Sequence, residues 1–366
     1  MEITNTMVIK ALSTVIDPDF GKDLVTLNMI KDVRIEGLDI YFTIELTTPA
    51  CPLKDKMSKD SHEAIRTMVS EDAVPHIEFT SRVTTLRDFR SDVLPGVKNI
   101  IAVSSGKGGV GKSTVAVNLA LALKRSGASV GLVDADIHGP SIPTMLNLKG
   151  LRPGLETVGN KPKIIPLEYQ GMKVMSIGFL VDPKQAVAWR GPMVTSALRQ
   201  FITDVLWGEL DYVVLDMPPG TGDVQLTISQ IAPVTGAVIV TTPQEVALAD
   251  ARKAASFYCM DAVKIPILGV VENMAYFTPA ELPNNKYYIF GKGGGRKLAE
   301  EYNAPFLGEV PLVQAIREGG DLGIPAVLEN DSTSAQAFES IASNVARYIT
   351  MKNHEVKSGE KAEALI

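Results

Sequence analysis

The segment Gly106–Thr114 carries the strongest chemical pattern in the chain. Its residues are Gly106, Lys107, Gly108, Gly109, Val110, Gly111, Lys112, Ser113 and Thr114. The segment follows an apolar, β-branched stretch and precedes a helical pattern, which is the context of a phosphate-binding loop. In such a loop, backbone N–H groups and a helix N-terminus attract phosphate oxygens. We therefore predict an ATP site in which Lys112 reaches the β- and γ-phosphates and Ser113 ligates Mg²⁺.

Lys107 is an unusual residue for such a loop, because an ordinary phosphate-binding loop does not require a lysine directly after its first glycine. A second cation at this place could neutralise charge that develops during phosphoryl transfer. The alternative is a solvated surface lysine. We list Lys107 with Lys112 as a catalytic candidate.

Three aspartates end two apolar strand patterns and are the expected partners of the loop. Asp134 and Asp136 end one pattern, and Asp216 ends another. Carboxylates at the carboxyl ends of strands face the ligand crevice of an open α/β sheet. Asp136 could orient the attacking water, and Asp216 could hold Mg²⁺ through water. Asp134 could fix Mg²⁺ or the loop, or cap the next segment. Gly220, in residues 217–223, could sense the γ-phosphate in a nucleotide-dependent switch.

The elements that would position these residues alternate between short apolar strands and helices. The candidate strands are Ile100–Ser104, Ser129–Val133, Asp211–Leu215, Ala237–Thr241 and Ile267–Val271. Continuous apolar runs predict strands buried on both faces, and their alternation with helices predicts a parallel sheet. We expect a doubly wound, mostly parallel α/β domain of the P-loop NTPase class over residues 99–350.

The first 90 residues predict a separate, small α+β domain. Their pattern is helix, strand, strand, helix and strand, with Glu36-Gly37 as a hairpin turn. Residues 91–98 are the predicted linker. Residues 351–366 are of mixed charge with few large apolar side chains, so we expect a disordered tail.

Composition limits the function classes. The 366 residues have a net charge of −6, which argues against a general nucleic-acid or anionic-membrane binder. The two cysteines give no disulfide framework and fit a reducing compartment. With no signal peptide or membrane span in the pattern, we expect a soluble, cytoplasmic protein.

The motifs together resemble the deviant P-loop ATPases of the MinD/ParA/nitrogenase-reductase group, and more closely the Mrp/ApbC branch of iron–sulfur cluster carriers. The resemblance implies slow ATP hydrolysis by a homodimer in which Lys107 reaches the partner's nucleotide. It implies that Asp136 is the hydrolytic switch aspartate, that Asn273 contacts adenine, and that clusters pass to recipient apoproteins with the help of assembly proteins. The matching segments are GKGGVGKST (106–114), DADIHGPSIPTML (134–146), WRGPM (189–193), WGELDYVVLDMPPGTGDVQLT (207–227), TTPQEVALADARK (241–253), GVVENM (269–274) and GEVPL (308–312). The role of Trp189–Met193 stays open.

The two cysteines match the family pattern only in part. The segments IDPDFGKDLVTLNMI (16–30) and LTTPACPLKD (46–55) resemble the small SufT/PaaD-like domain of metal–sulfur cluster assembly, whose cysteine corresponds to Cys51. A thiol near a helix N-terminus can have a lowered pKa and act as a ligand, while the alternative is a small buried residue. The family's CxxC is missing from residues 274–283.

Two alternatives therefore remain open for the cargo and for the function. Cys259 shares an apolar helical face with Leu248 and Ala255, which predicts a core position. Cys51 is then the candidate ligand for a [4Fe-4S] cluster. The alternative function is a MinD/ParA-like positioning or partitioning switch that carries no cluster.

Overall fold

The computed structural model describes residues 2–87, 93–137, 139–180, 191–279, 281–282, 284–330 and 332–359, without the side chains of 191, 192 and 358. The chain folds into two compact units. The first unit holds Met1–Thr84 together with Ala346–Lys361, and the second holds Thr85–Val345. Among the described helices, none is both long and apolar enough to cross a bilayer.

The first unit contains the predicted helix, two strands, helix and strand, with two additional two-residue strands after the first helix. The elements are α1 (Asn5–Leu12), β1 (Ile16–Asp17), β2 (Lys22–Asp23), β3 (Ile30–Glu36), β4 (Asp39–Leu46), α2 (Lys54–Met68) and β5 (Val74–Ser81). Strand β4 pairs antiparallel with β3 and parallel with β5. Side chains alternate across a strand, so Ile40, Phe42 and Ile44 of β4 meet Leu12 and Ile65 of the helices in one core.

The second unit is built on one eight-stranded sheet. Its strands, with the small β8–β9 hairpin, are β6 (Val97–Ser104), β7 (Val130–Asp134), β8 (Gly154–Val158), β9 (Lys161–Ile165), β10 (Leu167–Tyr169), β11 (Met172–Ser176), β12 (Leu210–Asp216), β13 (Gly236–Thr241), β14 (Ile267–Glu272) and β15 (Phe306–Glu309). The order is β10-β11-β7-β12-β6-β13-β14-β15, and only the β10–β11 pair is antiparallel. The predicted doubly wound, mostly parallel sheet is confirmed.

The helices of this unit are α3 (Lys112–Arg125), α4 (Ile142–Met145), α5 (Gly191–Thr203), α6 (Asp223–Ile231), α7 (Glu245–Cys259), α8 (Gly294–Glu301), α9 (Gln314–Leu322) and α10 (Thr333–Ser358). Helices α3 to α8 lie between the strands of this unit along the chain, α9 and α10 follow its last strand, and α10 continues into the first unit. The chain runs from β6 toward β7 on one side and later enters β13 on the other side of β6. Ligand crevices of open α/β sheets lie where the strand order reverses in this way, so the carboxyl end of β6 is the expected site.

Helix α10 corrects the predicted disordered tail. Residues 351–358 continue this helix, and its residues from Ala346 onward belong to the first unit. Ile349, Thr350 and Asn353 are buried, and the Asn353 amide donates to the Thr84 carbonyl at 3.0 Å. Burial of one helical face orders a segment whose overall composition is polar. Residues 360–366 lie outside the described residues.

Candidate functional site

The phosphate loop lies between the end of β6 and the start of α3, as predicted. Gly111 has a φ of +82° and precedes Lys112, the first residue of α3. Two of the glycines are required by close approaches. A Cβ on Gly106 would lie 2.0 Å from the Asp250 carbonyl carbon, and one on Gly111 would lie 2.1 Å from Asn273 Nδ2. Larger residues there would push the loop away from its neighbours, so glycine at these positions is a packing requirement as well as a conformational one.

Four predicted site residues lie together at this point. Lys112 has only 6% of its side chain exposed, and its Nζ lies 2.7 Å from Asp216 Oδ1 and 3.6 Å from Asp136 Oδ2. Ser113 Oγ is 3.4 Å from the same nitrogen. A buried ammonium needs a paired counter-charge, and Asp216 supplies it here.

Asp216 is completely buried, and burial raises the pKa of its carboxyl although the Lys112 charge opposes the shift. Its Oδ2 atom has no hydrogen-bond partner among the described residues. An unpaired buried carboxylate oxygen beside the Ser113 hydroxyl is a donor set that suits Mg²⁺. Asp216 and Ser113 would therefore hold the ion, and its charge would balance the phosphate oxygens of a nucleotide.

Asp134 fixes the loop that follows β7. It accepts hydrogen bonds from the Ser176 hydroxyl at 2.9 Å, from the Asp136 amide at 3.2 Å and from the Ile142 amide at 3.3 Å. Burial, together with the charge of Asp216, raises the pKa of Asp134 well above its ordinary value. These contacts favour the loop-fixing role among the alternatives for Asp134. Sequence reasoning missed Ser176, whose partner is set by the register of β11 beside β7.

Asn273 contacts the phosphate loop from the end of β14. Its side chain is buried, and Nδ2 donates to the Val110 carbonyl at 2.8 Å. It lines a cavity of about 420 Å³ beside the loop. Other residues that line this cavity are Gly111, Thr114, Thr144, Pro311 and Ile316. A largely apolar cavity next to a phosphate loop has the character of a nucleobase pocket, and the adenine contact of Asn273 remains a prediction.

Lys107 lies on the loop with a half-buried side chain. In the part of the chain that the structure describes, Lys107 takes part in no ion pair. Its backbone carbonyl accepts from Ser105 Oγ at 2.9 Å, which fixes the start of the loop. An uncommitted cation on a rigid loop is available to a phosphate, so the geometry leaves both the catalytic and the surface interpretation of Lys107 open. Of the segment 189–193, Trp189 and Arg190 lie outside the described residues.

Cys51 lies in the first unit, where its side chain is half-buried. Burial, and then the charges of Asp17 and Asp19, raise the pKa of the Cys51 thiol, although the backbone at Leu53 opposes the shift. Of the two alternatives for Cys51, this direction favours the buried residue over a thiol with a lowered pKa. Among the described residues, no group of three or more His, Cys, Asp or Glu side chains could hold a metal ion.

Cys259 is exposed at the end of α7, which corrects its predicted core position. Leu248 and Ala255 of the same helix are buried as expected. Cys259 is the last residue of the helix, and the chain beyond it does not cover the side chain. The protein therefore presents one exposed thiol and one half-buried thiol.

Two family models match the chain, one for each part of the predicted architecture. The model described as NUBPL iron-transfer P-loop NTPase matches residues 96–346. The model described as iron-sulfur cluster assembly protein matches residues 5–75.

Three similar proteins agree with these matches. An iron-sulfur cluster carrier protein of Synechocystis sp. is 48% identical over 351 residues, which is 95% of this chain and 99% of that protein. One of Deinococcus radiodurans is 46% identical over 349 residues, covering 95% and 96%. A solved structure of a nucleotide-binding protein in complex with ADP, from Archaeoglobus fulgidus, matches with a TM-score of 0.57 and 38% identity. That match covers 68% of this chain and 93% of the other.

Proposed function

The chain belongs to the family of NUBPL iron-transfer P-loop NTPases, and from this premise we propose that it hydrolyses ATP and carries or assembles iron–sulfur clusters for recipient apoproteins. The observation that carries the nucleotide half is the buried Lys112–Asp216 pair at the phosphate loop. Relatives named as cluster carriers over almost the whole chain support the cargo half. The Mrp/ApbC resemblance is confirmed by these family matches.

Different residues of this chain bind the phosphates, the metal ion and the base of the nucleotide. The loop amides and the N-terminus of α3 bind phosphate oxygens. Lys112 would exchange Asp216 for the β- and γ-phosphates, and Asp216 and Ser113 would hold Mg²⁺, which would supply charge neutralisation. Asp136, 14% exposed and near Lys112, orients the attacking water. Asn273 contacts and positions the adenine base.

A homodimer completes the proposed site. Lys107 has no acidic partner among the described residues of its own chain, so its charge is free to reach a nucleotide bound by a second copy. A cation delivered in trans stabilises the transition state for phosphoryl transfer. The protein is then slow as a monomer, and its turnover per chain rises with concentration.

The nucleotide role is tested by Mg²⁺-dependent ATP binding and phosphate release in wild type and in Lys112→Ala. We expect Lys112→Ala to lose binding, because the loop loses the cation that faces the phosphates. Lys124→Ala, near the other end of α3, is the matched control and should bind normally. ATP affinity retained by Lys112→Ala would refute the assignment of the loop.

The cargo role is tested by anaerobic reconstitution, with iron and sulfide counted per dimer. Thiolates are the usual ligands of such clusters, so a cluster in this protein must draw on Cys51, Cys259 or both. We expect Cys51→Ala to lose the cluster and Cys259→Ala, the matched control, to keep it. Background iron and sulfide in the wild type would refute direct carriage and leave an assembly role without cargo.

A further inference from the structure

The loop that follows β12 is held in a specific way by a residue that has no role in the proposed chemistry. Among the described residues, three hydrogen bonds hold the part of this switch loop, defined as Met217–Gly222, that runs from Met217 to Gly220. The Met217 amide donates to the Val103 carbonyl at 3.0 Å, and the Gly220 amide donates to the Ser105 carbonyl at 3.0 Å. The third bond comes from a side chain, Gln225 Nε2, which donates to the Pro218 carbonyl at 2.6 Å.

The third bond lies where the loop leaves the protein interior. Met217 and Pro218 are buried, whereas Pro219 is exposed. Neither proline carries a backbone N–H, so the first of the two can be held only through its carbonyl. Gln225, in the first turn of α6, supplies that hold and separates the buried Met217 and Pro218 from the outer part of the loop, Pro219–Gly222.

Burial of the Gln225 side chain is unfavourable for stability if its role is purely structural. Its side chain is 1% exposed, and its Oε1 atom has no partner among the described residues. Its Nε2 atom also lies 3.4 Å from Ser104 Oγ, at the end of β6. Burying an amide with an unpaired oxygen costs stability, and an apolar side chain of the same length would avoid that cost. The shorter of its two hydrogen bonds, the one to the Pro218 carbonyl at 2.6 Å, is the interaction that offsets this cost.

In the outer part of the loop, the Gly220 amide is the group that can respond to a nucleotide. It is bound to the carbonyl of Ser105, the residue directly before Gly106 of the phosphate loop. To reach a γ-phosphate, this amide must leave Ser105. Gly220 has a φ of +92°, a conformation that glycine adopts without strain, so the exchange involves a residue suited to turning.

We propose that Gln225 is a positioning residue for nucleotide discrimination. By holding Pro218, it makes the chain from Pro219 onward a hinged arm that carries the Gly220 amide from Ser105 to the γ-phosphate of ATP. This inference rests on the proposed nucleotide function. ADP has no γ-phosphate and leaves the arm on Ser105, so Gln225 acts on ATP binding and turnover and leaves ADP binding unchanged.

The test compares wild type, Gln225→Met and Ser229→Ala. Methionine keeps the length of the side chain and removes its donor. Ser229 is the matched control, because it lies on the same helix and its hydroxyl has no partner among the described residues. The readouts are the Kd values for Mg-ADP and for a non-hydrolysable ATP analogue, together with kcat and KM for ATP.

We expect Gln225→Met to bind ADP within about twofold of wild type and the ATP analogue about fivefold more weakly, the effect of one lost hydrogen bond. Its kcat should fall by more than its KM rises. Ser229→Ala should match wild type throughout. If Gln225→Met does not fold, Gln225→Asn gives the same test, because it keeps an amide but is one methylene too short to reach Pro218.

An unchanged ratio of analogue to ADP affinity with unchanged kcat would overturn the inference. So would an equal weakening of both nucleotides, which a merely structural residue would cause. Wild type that binds nucleotides without hydrolysing ATP would instead refute the proposed ATPase. The affinity ratio would still decide the role of Gln225, because it requires binding alone.

Discussion

Removal of Lys112 should destabilise the nucleotide-free protein in a pH-dependent way. Its ammonium is the close partner of Asp216, which is fully buried, and it also faces Asp136 at 3.6 Å. In Lys112→Ala the Asp216 carboxylate remains buried without its counter-charge. Burial already raises the pKa of Asp216, and loss of the lysine that opposes this shift raises it further.

Two estimates bound the loss of folding stability in Lys112→Ala. A buried ion pair broken on one side typically costs about 3–5 kcal/mol. The carboxyl can instead take up a proton, which at pH 7 costs about 4 kcal/mol for a group with an unfolded pKa of about 3.9. We therefore expect Lys112→Ala to lose about 3–4 kcal/mol at pH 7.

The sign of the pH dependence follows from proton uptake. A raised folded-state pKa means that the folded variant binds the proton more readily than the unfolded chain does. The penalty should therefore shrink as the pH falls, by about 1.4 kcal/mol per pH unit. Between pH 7 and pH 5.5 the difference between variant and wild type should narrow by about 2 kcal/mol.

The assay is urea unfolding of nucleotide-free protein at pH 5.5, 7 and 8. Fluorescence of Trp207, which is buried in the second unit, reports the transition. Asp216→Asn in the Lys112→Ala background is the control, because it removes the stranded charge and should abolish the pH dependence. A Lys112→Ala penalty below about 1 kcal/mol, or one that is constant with pH, would refute a buried charge pair.

Three further outcomes are expected. Lys107→Ala should keep the wild-type Kd for ATP and lose at least about tenfold in turnover, because its cation acts on the transition state; unchanged phosphate release would exclude that role. Iodoacetamide should modify Cys51 more slowly than the exposed Cys259 at pH 7.5, since burial and nearby carboxylates raise the pKa of Cys51. Mass spectrometry should show that the two alkylation rates become more similar as the pH rises. Equal rates for Cys51 and Cys259 at pH 7.5 would contradict the raised pKa of Cys51. Arg347→Met should destabilise the first unit by about 1–2 kcal/mol, because Asp19 loses its donor at 2.6 Å; hydrogen exchange unchanged in α1 and α2 would contradict this.

The central part of the sheet could be predicted from the sequence because its strands are buried on both faces. Strands β6, β7, β12, β13 and β14 are nearly continuous apolar runs, and the predicted positions agree within three residues at either end. Such runs carry their own signal. The phosphate loop provided a second sequence signal, because its glycines, lysine and hydroxyl residue occur in an order that is typical of few other structures.

The missed elements lack that local signal. Strand β11 has five residues, Met172–Ser176, directly after a glycine turn, and β10 and β15 are shorter still. The β8–β9 hairpin is mostly exposed, with 74% of Leu155 in solvent. These strands form because neighbouring strands offer them partners, and a partner distant in sequence leaves no pattern within the segment itself.

The missed contacts have the same cause. Ser176 reaches Asp134 only because β11 lies in register beside β7. The tail prediction failed because it weighed overall polarity and not the one face on which Ile349 and Asn353 are buried. The Cys51 prediction weighed the distance to a helix along the chain, while the thiol responds to burial and to carboxyls brought near by β1 and its loop.

In the proposed nucleotide site, Asp216 would link the movement of Lys112 to the binding of Mg²⁺. Without nucleotide, one of its oxygens holds Lys112 and the other has no partner among the described residues. In the proposed site, phosphates that drew Lys112 away would leave the buried carboxylate without its counter-charge, and Asp216 with Ser113 could then hold a divalent cation that restores the balance. The next residues, Met217 and Pro218, are fixed by Val103 and Gln225. Under this proposal, the exchange of lysine for metal at Asp216 would take place next to the proposed hinge that positions Gly220, so charge balance and γ-phosphate sensing would be coupled through one short segment.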